Sequence, residues 1–158
     1  PELHAIQSEQ SVVVAGYGAL VVNNIPRGVP WYLPAPAERL LVSYLGSSPR
    51  FQPYGVQKFE WDPRKRAFRN AWANTTMSSP SRVPIVSHPS NRVYLIGARE
   101  NEWTLESLDW DTGKSAYHSV IGDQRYNPLF SATQLDDAGR IHYGTPWGRV
   151  RLSPQGAE

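Results

Sequence analysis

The sequence contains no cysteine, which excludes disulfides and thiolate metal sites and leaves the redox compartment open. No apolar run approaches the roughly 20 residues of a membrane span. The opening residues, Pro1-Glu2-Leu3, lack the basic start and apolar core of a signal peptide. A chain starting at Pro1 is expected to have been processed, cut or truncated. Long helices are missing too, because no window sustains a helical period over three turns. Charge is nearly balanced, with 16 Lys and Arg against 14 Asp and Glu and a net charge of +2. The one dense basic cluster, Lys58 with Arg64, Lys65, Arg66 and Arg69, reads as a solvated hairpin tip. Neither nucleic acid nor a membrane is therefore an expected partner.

Chemical signatures are equally sparse. There is no Walker loop, no His-Glu-x-x-His and no Gly-x-Ser-x-Gly. The four histidines, His4, His88, His118 and His142, have no metal-ligand spacing, so no metal or cofactor is expected. Asp111-Thr112-Gly113 spells the aspartic-protease triplet, but it lies in a turn followed by Lys114. Asn74-Thr75-Thr76 fits the glycosylation acceptor pattern, which matters only in a secreted eukaryotic chain. The expected setting is soluble, extracytoplasmic or secreted.

What the chain does have is aromatics and punctuation. Six Trp and eight Tyr favour strands, while 14 Pro and 12 Gly interrupt the 158 residues too often for anything longer. A phrase also recurs: Phe59-Glu60-Trp61-Asp62-Pro63-Arg64-Lys65 echoes Leu108-Asp109-Trp110-Asp111-Thr112-Gly113-Lys114, 49 positions later. Arg39, Arg92 and Arg140 each open an apolar run after a turn-rich break, 53 and then 48 positions apart. Recurrence at about 50 residues signals a repeat architecture.

The short apolar runs read as strands at 11–15, 19–23, 29–33, 39–45, 55–61, 67–73, 82–87, 92–98, 103–110, 115–121, 129–135, 140–143 and 149–152. Gly113 is placed to take positive φ in the turn after the second Trp-Asp pair. Groups of four such strands repeating at this interval are the pattern of propeller blades. The expected fold is an all-β propeller fragment of about three four-stranded antiparallel blades, open rather than closed. It forms a single partial domain over 1–158. Residues 11–23 supply the outer strands of one blade, 29–73 and 82–121 form two blades, and 129–152 form an incomplete one. Such ends need covering. The expected partner is the remainder of a longer propeller, or a second copy joined head to tail into a six-bladed ring.

The turn Leu108-Asp109 with Thr112-Gly113-Lys114 resembles the blade motif of quinoprotein-like propellers, with Ser107 where Ala is usual. Tyr117 and His118 stand where that motif has its Trp. Trp61-Asp62 and Trp110-Asp111 also look like the end of a WD40 strand, without the upstream Gly-His. The resemblance implies blade shape, and propellers host binders and enzymes alike. In a propeller the loops after second and fourth strands gather at one end of the channel. Here those loops carry Arg27, Arg50, Tyr54, Asn74, Arg99, Glu102, Arg125, Tyr126, Asn127 and Trp147. These are the candidate ligand-binding residues, suited to a small-molecule or carbohydrate ligand. No catalytic residue can be named. The expected function is a ligand- or partner-binding module, with part of a propeller enzyme acting on a sugar, polyol or ester as the alternative.

Overall fold

The computed structural model describes Ser8 and residues 10–23, 55–79, 82–100, 102–128 and 131–154. These form three antiparallel sheets. The first holds β1 (Val13–Ala15), β2 (Gly18–Val22), β3 (Val56–Asp62) and β4 (Ala67–Asn74) in that order. The second holds β5 (Ile85–Ser87), β6 (Arg92–Arg99), β7 (Glu102–Asp109) and β8 (Ser115–Gly122), and the third β9 (Gln134–Leu135), β10 (Ile141–Thr145) and β11 (Gly148–Leu152). A single 3₁₀ turn, Gln124–Tyr126, is the one piece of helix among the described residues. The chain is thus all-β, with sheets of 4, 4 and 3 strands, none of them closed on itself.

The second sheet follows the sequence expectation strand for strand, because each of its pairings is a local hairpin. The first sheet corrects it. Gly18–Val22 pairs along its length with Val56–Asp62, so the strands expected to belong to a preceding blade are the first half of this one. The expected strands at 29–33 and 39–45 lie outside the described residues, and the place beside β3 intended for them is taken by β2. Arg39 is likewise outside the described residues, whereas Arg92 starts β6 and Arg140 immediately precedes β10. Arg92 pairs with Asp109 at 2.8 Å and Arg140 with Asp136 at 2.8 Å.

The two Trp-Asp turns share a hydrogen-bonding geometry, which aligns them two residues away from their sequence echo. Asp62 Oδ1 accepts from the Arg64 and Lys65 amides, and Asp109 Oδ1 accepts from the Thr112 amide and hydroxyl. Asp62 and Asp109 are therefore the matching residues, each four positions before one at positive φ: Arg66 at 49° and Gly113 at 68°. Arginine is tolerated in the first turn because Arg66 is exposed. In the second, a Cβ on Gly113 would lie 2.4 Å from the Trp72 ring. Gly113→Ala should accordingly cost about 2 kcal/mol, combining backbone strain with overpacking. Gly16→Ala, also at positive φ but with open space around it, should cost about half that; urea denaturation of both variants checks the difference.

The sheets stack face to face. Leu20, Val22, Val56 and Trp72 of the first meet Val93, Leu95, Leu108 and Trp110 of the second, with Met77 from the connection sealed between them. Ile96 and Trp103 of the second meet Tyr143 of the third, flanked by Leu105, Ile121, Tyr126, Val150 and Leu152. Both faces of the middle sheet are therefore covered, which is why β6 and β7 are apolar without clean alternation. Val83, just before β5, pairs in parallel with Ala132, just before β9.

The junction between the first two sheets is organised by Trp110. Its carbonyl accepts from Lys58 Nζ at 3.0 Å and from Trp72 Nε1 at 2.9 Å. The Lys58 ammonium sits 4.3 Å from the centre of the Trp110 ring, so a buried cation gains both a π face and an acceptor. Gly18 makes room for this packing, since a Cβ there would lie 2.5 Å from the Trp110 indole and 2.8 Å from Lys58 Cε.

Candidate functional site

Four of the residues expected to form a ligand face, Asn74, Arg99, Tyr126 and Asn127, are engaged in holding the fold. Arg27, Arg50 and Tyr54 lie outside the described residues. Asn74 ends β4, buried, where its Nδ2 donates to Gly113 O at 2.8 Å and its Oδ1 accepts from the Thr76 amide and hydroxyl. Asn127 is fully buried. Arg125 pairs with its neighbour Asp123 at 3.0 Å. The Tyr126 carbonyl accepts from the Tyr143 hydroxyl at 3.1 Å, and its ring lies against Gly122. Glu102 opens β7 and Trp147 sits in the β10–β11 turn, both exposed.

Arg99 belongs to a buried pair that sequence reading missed. Leu95, Gly97 and Arg99 lie opposite Glu106, Thr104 and Glu102 in the β6–β7 register, which puts Arg99 and Glu106 on one face. Gly97 leaves the path between them open, because a Cβ there would lie 2.7 Å from Glu106 Cγ. Arg99 Nε and Nη2 reach the two Glu106 oxygens at 2.7 Å each, and the Thr104 hydroxyl donates to Glu106 Oε1 at 2.7 Å. The hydrogen bond to Glu106 raises the Arg99 pKa above its ordinary value. Glu106 is wholly buried and all its partners are internal, which makes the pair a structural bolt. The signal was present in part: a Glu within a strand apolar on both faces needs a cation nearby.

A groove of mixed chemistry lies at the opposite end of the first two sheets. It holds about 530 Å³ between the β1–β2 and β3–β4 turns of the first sheet and the β5–β6 and β7–β8 turns of the second. Tyr17, Trp61 and Trp110 supply aromatic surface, and Glu60, His88 and Asp111 supply polar groups. Glu60 accepts from Lys58 at 3.1 Å and also pairs with Arg69. Asp111 is fixed by Asn91 Nδ2 at 2.8 Å, and Trp61 is steadied by Phe68 in an edge contact at 5.1 Å. His88 and Asp62-Pro63 line the groove from the β5–β6 and β3–β4 turns. What sequence reading could have noticed is the placing of Tyr17 in the Gly16-Tyr17-Gly18 turn, where an aromatic is not needed for a core.

At the second junction, Arg82 is fully buried with no carboxylate beside it among the described residues. Its guanidinium bonds the Thr133 hydroxyl, donates to His142 O at 3.4 Å and lies 4.4 Å from the Tyr143 ring centre. Burial lowers its pKa and raises that of Tyr143. Among the described residues no three His, Asp or Glu side chains gather into a metal-binding group, and no helix is long and apolar enough to cross a membrane.

These features define an all-β protein of three stacked antiparallel sheets. No family model matches it. The chain is 38% identical over 148 residues to an uncharacterized protein of Archaeoglobus fulgidus, a match taking in 92% of this chain. It spans 28% of the length of that relative.

Proposed function

We propose that the chain is a run of consecutive blades from a β-propeller and that it serves as a binding module, taking a polyhydroxylated, carbohydrate-like ligand in the groove between the first two sheets. The observation that carries the blade reading is the stacking of antiparallel meanders in chain order, with Val83 and Ala132 running side by side in parallel ahead of the first strands of two sheets. First strands lying side by side around an axis, with outer strands splayed, are what radial repetition requires. The resemblance of the Asp109 turn to quinoprotein-like blades agrees with it. The match to 28% of a longer relative leaves room there for further sheets of the same size.

Binding is favoured over catalysis by the state of the ionisable groups. Glu60 is held by two cations and Asp111 by Asn91, so both are committed to internal partners. Aromatic faces flanked by fixed polar groups instead suit the apolar and hydroxyl faces of a pyranose ring. The remainder of the propeller is favoured over a second copy as the partner. The outward side of the third sheet is basic, and the exposed hairpin tip of the first sheet carries Arg64, Lys65, Arg66 and Arg69 beside the apolar Val14, Tyr17 and Phe68, so these do not complement each other in charge.

Titration with cellohexaose and maltohexaose, followed through the indole N–H signals of the tryptophans, tests the site. Trp61 and Trp110 should shift together, with Trp147 unmoved, and Trp61→Ala should abolish the response. A shift confined to Trp147 would move the site to the other end of the sheets. No response to either sugar would remove the carbohydrate class.

A further inference from the structure

The outward face of the third sheet carries a second cluster, separate from the groove between the first two. A hollow of about 630 Å³ opens there, lined by Gln134, Asp136, Arg140, His142, Arg149 and Arg151. On the other side of this sheet Ile141, Tyr143, Val150 and Leu152 pack toward the second sheet. Register explains the hollow: Arg151 lies opposite His142 and Arg149 opposite Gly144, so beside Arg149 the partner strand contributes no side chain. A Cβ at Gly144 would touch nothing closer than Ser131 at 3.8 Å.

The charges do not balance. Three guanidinium groups face one carboxylate, and that carboxylate is fully used. Asp136 Oδ1 accepts from the Ala138 and Arg140 amides, and Oδ2 from Arg140 Nε at 2.8 Å and His142 Nε2 at 2.9 Å. These bonds, His142 foremost, hold the Asp136 carboxyl well below the usual range. Arg149 Nη2 lies 3.0 Å from His142 Nδ1. A guanidinium has no acceptor, so His142 Nδ1 accepts and its Nε2 carries the proton given to Asp136. The imidazole is therefore spent as a neutral link between Arg149 and Asp136. Arg151 makes no ion pair or side-chain hydrogen bond among the described residues, and Arg149 keeps donors unused.

We infer that this hollow binds a small multivalent oxyanion, a di- or tricarboxylate or a phosphate, between Arg149 and Arg151. Residues two apart on a strand point to the same side, roughly 7 Å from each other. That spacing lets two planar forks grip separate oxygens of one ligand. All the groups involved belong to the third sheet and its first turn, on the face that the proposed propeller would give to a following sheet, so the site is open in this chain taken alone.

Calorimetric titration of the chain with citrate, inorganic phosphate and acetate tests the inference. Citrate and phosphate should bind, acetate should give no measurable heat, and affinity should fall as salt is raised. Arg149→Ala and Arg151→Ala should each weaken citrate binding on the order of tenfold. Asp136→Asn removes the competing negative charge and should strengthen it several-fold. A thermal melt of each variant shows whether the sheet is intact; if Asp136→Asn does not fold, Gly144→Val replaces it and should block binding without altering charge. Citrate binding no tighter than acetate, or indifferent to both arginine variants, overturns the inference. So does weaker binding by a folded Asp136→Asn or unchanged binding by Gly144→Val.

Discussion

Trp72→Ala is expected to destabilise the protein by about 3–5 kcal/mol, the range for removing a buried indole. Three losses combine. The ring leaves a cavity against the Gly113 turn, where it is packed as closely as a glycine allows. Its Nε1–H no longer reaches the Trp110 carbonyl, which is left to Lys58 alone. The outer strand of the first sheet then loses its hold on the second, since Asn74 N–H to Gly113 O is the remaining side-chain bond from β4 to that turn. Coupling makes the prediction specific. Gly113→Ala clashes with Trp72, so its cost should drop by about 1 kcal/mol or more when Trp72 is already alanine. Urea melts of the wild type, both single variants and the double variant give that coupling. Additive costs would mean that Trp72 does not lie on Gly113.

Arg99→Ala is the second large effect, about 3 kcal/mol at neutral pH. Removing one member of a buried pair leaves the other charged and unsolvated; the figure sits at the low end because Arg99 is itself 23% exposed. Glu106 would keep only the Thr104 hydroxyl. The sign with pH follows. A buried carboxyl without its cation has its pKa raised in the folded state, so the variant loses stability as pH rises past the ordinary glutamate range of about 4.3. Acid should therefore narrow the gap between variant and wild type. Arg99→Ala combined with Glu106→Gln should recover most of the loss, because no charge remains to strand. A single variant as stable as wild type at pH 7 would show that Glu106 is not held in this way.

The contrast between the two sheets shows where sequence reading succeeds. Every pairing of the second sheet joins neighbours in the chain, and the residues that fix its turns, Asn91 and the Asp109-to-Gly113 stretch, are adjacent to the strands they connect. Local signals suffice there. Pairing of β2 with β3 spans residues 24–54, and nothing in a strand's own composition says which distant strand it will join. The apparent period also drew in Arg39, which lies outside the described residues. The echo of Trp61-Asp62 in Trp110-Asp111 was similarly displaced: lettering aligned the tryptophans, while turn geometry aligns Asp62 with Asp109. Two of the expected ligand residues are engaged within the fold for a related reason. Polar side chains at strand ends were read as facing solvent, but in a stack of sheets those ends are where one sheet meets the next. Asn74 and Arg99 are consumed there. Lys58 and Arg82 show the same effect in the interior, where long cations reach a carbonyl and a ring of the following sheet.

The central claim is that successive sheets stack with their first strands side by side, and a chain without cysteine offers a clean test of it. Val83 and Ala132 pair in parallel although 49 positions separate them, and neighbouring strands lie about 4.8 Å apart. That is inside the roughly 4.4–6.8 Å window in which two cysteines can be bridged. The measurement is the yield and connectivity of the disulfide in Val83→Cys/Ala132→Cys under mild oxidation of the native chain. The account predicts near-complete closure within one molecule and a raised unfolding midpoint. Thiols that stay free in the native state, or that link only between molecules, would contradict it.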